Sequence, residues 1–292
     1  MLSKIQNLLY SCYEDITWDR LPDIRFQLFL ISVKCLMPYE DNIGCYLDKD
    51  RYIKEIDLFK LYINGHDDCI ENYFKNKTPC DVEDGLIEYK IMPIAISNTV
   101  WENLMEEVIK MTSFYSLNKS TIINSILISS AVYDYLSDEN IDIENMNLNA
   151  KERIIQFSIK EFAQRHNINL DKMSIIDFEK ERIKTITKAH LYSEECILKS
   201  KTLQNIINNV SPEEKEYNDE ILSNYSAYLL KLRKGTISPE KLKIGDGKIP
   251  ELKEFLKYSS FSHPLLGKCK IVRRTEKEII LRNKTGIMKV NI

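Results

Sequence analysis

Glycine and proline, the residues that most readily interrupt regular structure, occur only eight times each in 292 residues. Such thin punctuation favours long helices over many short strands, since each tight turn usually needs one or the other. Apolar residues fall at helical spacing through most of the chain. Residues 2–13 and 24–37 read as helices, the second apolar nearly all round and so central, with Asp23 placed to cap it. A helix over Tyr52 to Ile63 and a short helix from Cys69 to Phe74 follow, with Asp67-Asp68 placed to cap the latter.

Thr99-Val100-Trp101-Glu102 has the form of a capping box, opening a helix over 99–111. Met92-Pro93-Ile94-Ala95-Ile96, just before it, reads as an apolar knot in which Pro93 bends the chain into the core. Ser120 to Leu136 alternates isoleucines with Ser125, Ser129, Ser130 and Ala131, small residues that permit close approach, and so reads as the innermost helix. Residues 137–149 are acidic and Asn-rich, the pattern of a surface loop. Helices are expected again over 151–166, 172–188 and 191–209, and from Ser211-Pro212-Glu213-Glu214 to Lys234.

The pattern changes after His263-Pro264. Gly267 to Arg273, Glu278 to Arg282 and Gly286 to Asn291 are rich in Ile and Val and separated by polar turns, which predicts a three-stranded meander. Three strands are marginal alone, so the meander should dock on the helices. The chain is therefore expected to be mainly α: a single large multi-helix orthogonal bundle over 1–262 with a small C-terminal three-stranded antiparallel β appendage over 263–292. From Leu265 to Ile292 eight Lys and Arg stand against two Glu. A polyanion would meet Lys270, Arg273, Arg274, Arg282 and Lys284 there.

The net charge of −3 and pI near 6.0 argue against bulk attraction to nucleic acid or anionic lipid. The most apolar run, Phe26 to Met37, is too short and too polar to span a bilayer, and the amino terminus lacks the form of a signal peptide. Seven cysteines without a CxxC pair suit reduced thiols in a cytoplasmic protein. GxSxG, GxGxxG and GxxxxGK[ST] are all missing, and the four histidines have no flanking acid pattern, which leaves them surface or capping roles.

The order of a helix at Tyr52, a short helix ending Tyr73-Phe74, then Asp84-Gly85, Lys90-Ile91-Met92-Pro93-Ile94-Ala95-Ile96, a helix, Thr112-Ser113 and a Ser-rich helix resembles the ADP-ribosylglycohydrolase family. Its middle segment commonly runs N-G-A-A-M-R-x-x-P, a helix, then T-H and a small-residue core helix. The resemblance covers about a third of the chain. It implies an all-helical scaffold that, in many members, removes ADP-ribose from modified side chains with two magnesium ions. It also implies a cleft that would involve Asp23, Asp84, Gly85, Met92, Thr112, Ser113 and Asp246.

Departures from the pattern shape the functional expectation. Only Asp23 remains where the first metal motif would fall, Ser113 replaces the histidine, and Gly245-Asp246-Gly247 keeps one aspartate of D-x-D-T-x-G. The expectation is a pseudoenzyme with no catalytic residues, no metal site and no cofactor, acting by binding a macromolecular partner, another protein, or keeping a nucleotide-sized cleft. Two alternatives stand beside it. One is a magnesium-dependent ADP-ribosyl hydrolase with ligands rearranged onto Asp23, Asp84 and Asp246; the other is a nucleic-acid-binding module built on the basic tail, although nucleic acid is not the expected partner. The sequence leaves the oligomeric state open.

Overall fold

A computed structural model describes residues 1–13, 15, 21–40, 43–138, 142–194, 196, 199–208, 219–243 and 249–291. Among them the chain forms α1 (Leu2–Tyr13), α2 (Ile24–Cys35), β1 (Leu36–Pro38), β2 (Cys45–Leu47), α3 (Lys49–Phe59), α4 (Asp68–Asn76), α5 (Ile87–Ser97), α6 (Trp101–Tyr115) and α7 (Lys119–Ser137). It continues as α8 (Ile143–Gln156), α9 (Ile159–Arg165), α10 (Lys172–Ile186), α11 (Lys201–Asn208), α12 (Glu220–Arg233) and α13 (Leu252–Phe255). The strands β3 (Ser260–His263), β4 (Gly267–Arg274), β5 (Glu278–Asn283) and β6 (Gly286–Asn291) close the chain as one antiparallel sheet in sequence order.

The innermost helix is α5, whose eleven residues are all buried, and it packs on α2, α6, α7 and α12. This corrects two expectations: the 92–96 stretch is helix and not a bend, and α7, which keeps residues such as Asn124 half-exposed, is not the most central element. Pro93 sits inside α5 and lacks the N–H that would bond the Tyr89 carbonyl, a local cost of about 3 kcal/mol. Burying Ile91, Ile94 and Ile96 completely offsets it, since each such side chain contributes roughly 1.5–3 kcal/mol.

Caps explain most boundaries. The Asp23 carboxylate accepts from the Phe26 amide and Asp67 from the Ile70 amide, both as expected. α3 opens earlier than expected because Asp48 accepts from Arg51 N, and the acidic loop is shorter because Asp142 caps α8. The expected 151–166 helix is split, α8 ending at Gln156 and Ser158 capping α9. Thr99 does not cap α6: the helix begins one residue later, with Val100 in the cap position and no side-chain bond there. Leu36 and Met37 leave the helix for β1 because Pro38 biases its predecessor to extended backbone. Within the expected 191–209 helix the described element is α11, and the proposed start at Ser211-Pro212 lies outside the described residues.

The sheet has four strands, not three. Ser260–His263 pairs with Gly267–Lys270, so Pro264 lies in a turn after a strand and the sheet begins before the boundary drawn at 263. Cys269, Ile279, Leu281, Met288 and Val290 are buried and continuous with the helical core, and the Asn291 amide donates to the Leu61 carbonyl at 3.2 Å. The meander thus docks on the helices. No helix among the described residues is long and apolar enough to cross a membrane.

The C-terminal end of α5 is closed by side chains from elsewhere. Asn98 bonds the backbone of Cys45 in both directions, accepting from its N–H and donating to its carbonyl at 3.0 Å each, which fixes the β1–β2 hairpin. Gly44, at φ +126°, leaves room for this clamp: a Cβ there would lie 2.5 Å from Asn98 Oδ1. Arg233, expected only to end its own helix, is buried and donates to the carbonyls of Ile96 at 3.0 Å and Asn98 at 2.7 Å. Its charge meets the negative end of the α5 dipole. Arg233→Met should keep the volume, leave both carbonyls unpaired and lower stability by about 2–3 kcal/mol in urea unfolding.

Candidate functional site

Lys90 is the one cation of α5, and it is completely buried. An isolated ammonium in such a place would cost several kcal/mol, so its partners decide whether the helix can stay there. Lys90 Nζ lies 2.6 Å from Asp84 Oδ2 and 3.5 Å from Asp67 Oδ1, both carboxylates themselves buried. The Tyr115 ring covers it, with the centroid 4.2 Å away. Asp67 is placed by capping α4, and Asp84 by donating its amide to Thr121 Oγ1 at 2.9 Å and accepting from the Leu86 amide at 2.9 Å.

Burial alone would lower the Lys90 pKa, but the charges of Asp84 and Asp67 outweigh it and hold the ammonium above its usual range. Asp67 is shifted upward, first by burial and then by repulsion from Asp84, with Lys90 acting in the opposite direction. The distances explain the difference: Asp84 makes the close ion pair, and Asp67 is the more weakly compensated carboxylate.

Beside this cluster opens a cavity of about 560 Å³, a size suited to a small organic ligand. Asp84 and Gly85 form part of its wall. Ile123, Leu127, Leu191 and Leu203 supply an apolar surface, and Asn124, Ser120 and Ser200 add neutral polar groups. Lys184 and Lys188, at the end of α10, and Lys199 bring positive charge, against Glu83, Glu88 and Glu181, the last 3.3 Å from Lys184. Glu88 is buried and already engaged, accepting from the Ser200 hydroxyl at 2.6 Å and the Thr202 amide at 3.4 Å. Glu83 and Lys199 approach to 3.8 Å at the solvent side.

Of the residues singled out in the sequence, the structure brings Asp84 and Gly85 together at the cavity. Met92 is buried in the core. Thr112, also buried, donates to the Val108 carbonyl and lies 2.9 Å from the Ser125 hydroxyl, joining α6 to α7. The Ser113 hydroxyl bonds back to the Lys110 carbonyl. Asp23 stands apart from the cavity wall, capping α2 and paired with Arg25. Arg25 also reaches Asp15 at 2.9 Å, and Asp15 lies 3.4 Å from Lys201. Asp246 is outside the described residues.

Among the described residues, two magnesium ions do not fit what is present. Asp67, Cys69 and Asp84 present ligand atoms within 4.8 Å of one another, but the Lys90 ammonium is bound to both carboxylates, and a thiol is a poor magnesium ligand. Asp23 and Asp15 likewise already have protein cations. Three of the four histidines take other roles: His66 lies between Glu71 and Asp68 on the surface, His166 pairs with Glu106, and buried His263 accepts the Leu265 amide.

On the basic sheet, Lys270 pairs with Arg282, and Ile280 pairs with both Arg273 and Lys289. Directly paired residues share a face, so Lys270, Arg273, Arg282 and Lys289 line the outer side, joined by Lys268 two residues before Lys270. A bulge at Val272 shifts the register and turns Arg273 outward. Arg274 lies on the opposite face, where it bonds the Leu256 carbonyl, and Lys284 sits in the β5–β6 turn. The chain matches no protein-family model, no curated protein and no solved structure.

Replacing Lys90 by Met should strand two buried carboxylates and cost about 3–5 kcal/mol in denaturant unfolding at pH 7. Because the folded-state pKa of Lys90 is raised, its contribution is fully present below the ordinary lysine value of 10.5 and is lost as pH rises through the folded value. The stability gap between wild type and Lys90→Met should therefore narrow above pH 10.5 and stay constant between pH 7 and about 9.

Proposed function

We propose that the chain is a non-catalytic binding protein on an ADP-ribosylglycohydrolase-like helical scaffold, and that its cavity takes a nucleotide-sized anionic ligand. The observation that carries this reading is the juxtaposition at one wall: Asp84, a carboxylate that the resemblance places in the cleft, is neutralised by buried Lys90 beside a cavity of about 560 Å³. The carboxylates at the cavity are already engaged by protein groups, Asp84 by Lys90, Glu88 by the Ser200 hydroxyl, Glu181 by Lys184 and Glu83 by Lys199, which disfavours a pair of divalent ions there. What remains is apolar surface for a base, hydroxyl and amide groups for a sugar, and lysines 184, 188 and 199 for phosphates. The reading extends to a cytoplasmic protein whose partner is another protein. The free thiols of Cys12, Cys35, Cys45, Cys69, Cys80 and Cys269 support a reducing location.

Calorimetric titration with ADP-ribose tests it. Saturable binding should be the same with magnesium or with chelator, and no ligand should be turned over. Lys184→Glu with Lys188→Glu should weaken binding at least about tenfold, since each lost phosphate contact is worth about 1 kcal/mol or more. Binding that requires magnesium and disappears in Asp84→Asn, with product release, would establish the hydrolase alternative instead.

The outer sheet face supports a second reading, in which the basic strands bind nucleic acid. Five cations share that face and Glu278, 3.5 Å from Lys289, is its acid. A labelled oligonucleotide should then bind with an affinity that falls steeply with salt, and Lys270→Glu with Arg282→Glu should reduce the slope by about two. Absence of binding at low salt removes this reading.

A further inference from the structure

Cys69 and Cys80 are both free thiols, and their sulfurs lie 3.3 Å apart. Neither position is accidental. Cys69 is the second residue of α4, held by the Asp67 cap on the Ile70 amide. Cys80 forms a one-residue bridge to Ser116, its amide donating to the Tyr115 carbonyl and its carbonyl accepting from the Leu117 amide, each at 2.9 Å. Two backbone segments that are fixed independently therefore present their thiols to each other. A disulfide sulfur–sulfur bond is about 2.05 Å, so closure needs an approach of roughly 1.2 Å, within reach of side-chain rotation.

We propose that Cys69 and Cys80 form a reversible disulfide when the protein meets a peroxide. Cys80 is half-exposed and Cys69 buried, so the peroxide reaches Cys80 first. The Cys80 thiolate attacks the peroxide, breaking the oxygen–oxygen bond to give a sulfenic acid and release hydroxide, which takes up the proton lost from the thiol and leaves as water. The Cys69 sulfur then attacks the sulfenic sulfur. The S–O bond breaks, a second water leaves with the Cys69 proton, and the disulfide forms; two thiols are oxidised and one peroxide is reduced. Burial raises the Cys69 thiol, which disfavours its direct reaction with peroxide and leaves Cys80 as the sulfur oxidised first.

The bond would tie α4 to the segment that carries Glu83, Asp84 and Gly85, closing a short loop, and it stands whatever ligand the cavity holds. In the full-length protein treated with hydrogen peroxide and digested with trypsin without reductant, the peptide 61–75 should be linked to 78–90, two hydrogens lighter than the pair. Dithiothreitol should restore both thiols. The other five cysteines should still label, and the thermal midpoint should rise by roughly 5 °C. In Cys69→Ser the link should vanish and Cys80 should accumulate sulfinic acid. The proposal is overturned if wild-type Cys80 proceeds to sulfinic acid while Cys69 stays free, if either residue links to another cysteine, or if all seven thiols survive millimolar peroxide.

Discussion

A lysine in a helix with no exposed face can exist only if the protein surrounds it with negative charge, and Lys90 is such a lysine. Its requirement organises the neighbouring chain. Asp67 must end the loop before α4, Asp84 must turn back toward Thr121, and Tyr115 must cover the ammonium from α6. Three helices, α4, α6 and, through Asp84, α7, are thereby tied to α5 around one charge, in a setting of low dielectric where each partner matters more than on the surface. The cavity lies along the outer side of this arrangement, with Asp84 shared between the two.

The far end of α5 is governed by the same need to satisfy polar groups that cannot reach water. Arg233 from α12 and Asn98 occupy its last carbonyls, and Asn98 carries the hairpin with it. A cation near the middle of the central helix and another at its negative end, one met by carboxylates and one by carbonyls, make α5 a rigid post. Residues 84–88 at its start can then hold one cavity wall in place while α10 and the segment leading into α11 supply the other.

Much of the fold was legible because its signals are local. Asp23 and Asp67 precede apolar helical spacing and cap as read, and the Ile and Val alternation after Gly267 gives the last three strands. Errors arose where tertiary burial overrode a local cue. Pro93 looked like a bend but lies in a helix stabilised by complete burial, and Thr99 had the right neighbours one residue too early. The site was less legible. Lys90 stands in a run of apolar residues and could have been flagged as a buried charge, but its weaker partner Asp67 is far along the chain. Lys184 and Lys188 look like any solvated helix end, and only the packing of α10 beside α7 brings them to the cavity. The bulge at Val272 that turns Arg273 outward is likewise a matter of strand pairing.

Among the described residues, protein cations pair with Asp67, Asp84, Asp15 and Asp23, the carboxylates that a divalent ion would need. Anomalous diffraction from a crystal soaked in manganese, a magnesium substitute with a usable signal, reads this directly. The account predicts no anomalous peak at Asp67, Asp84, Asp15 or Asp23, with Lys90 still bridging the first two. A manganese ion coordinated by Asp84, with the Lys90 ammonium displaced, would contradict it.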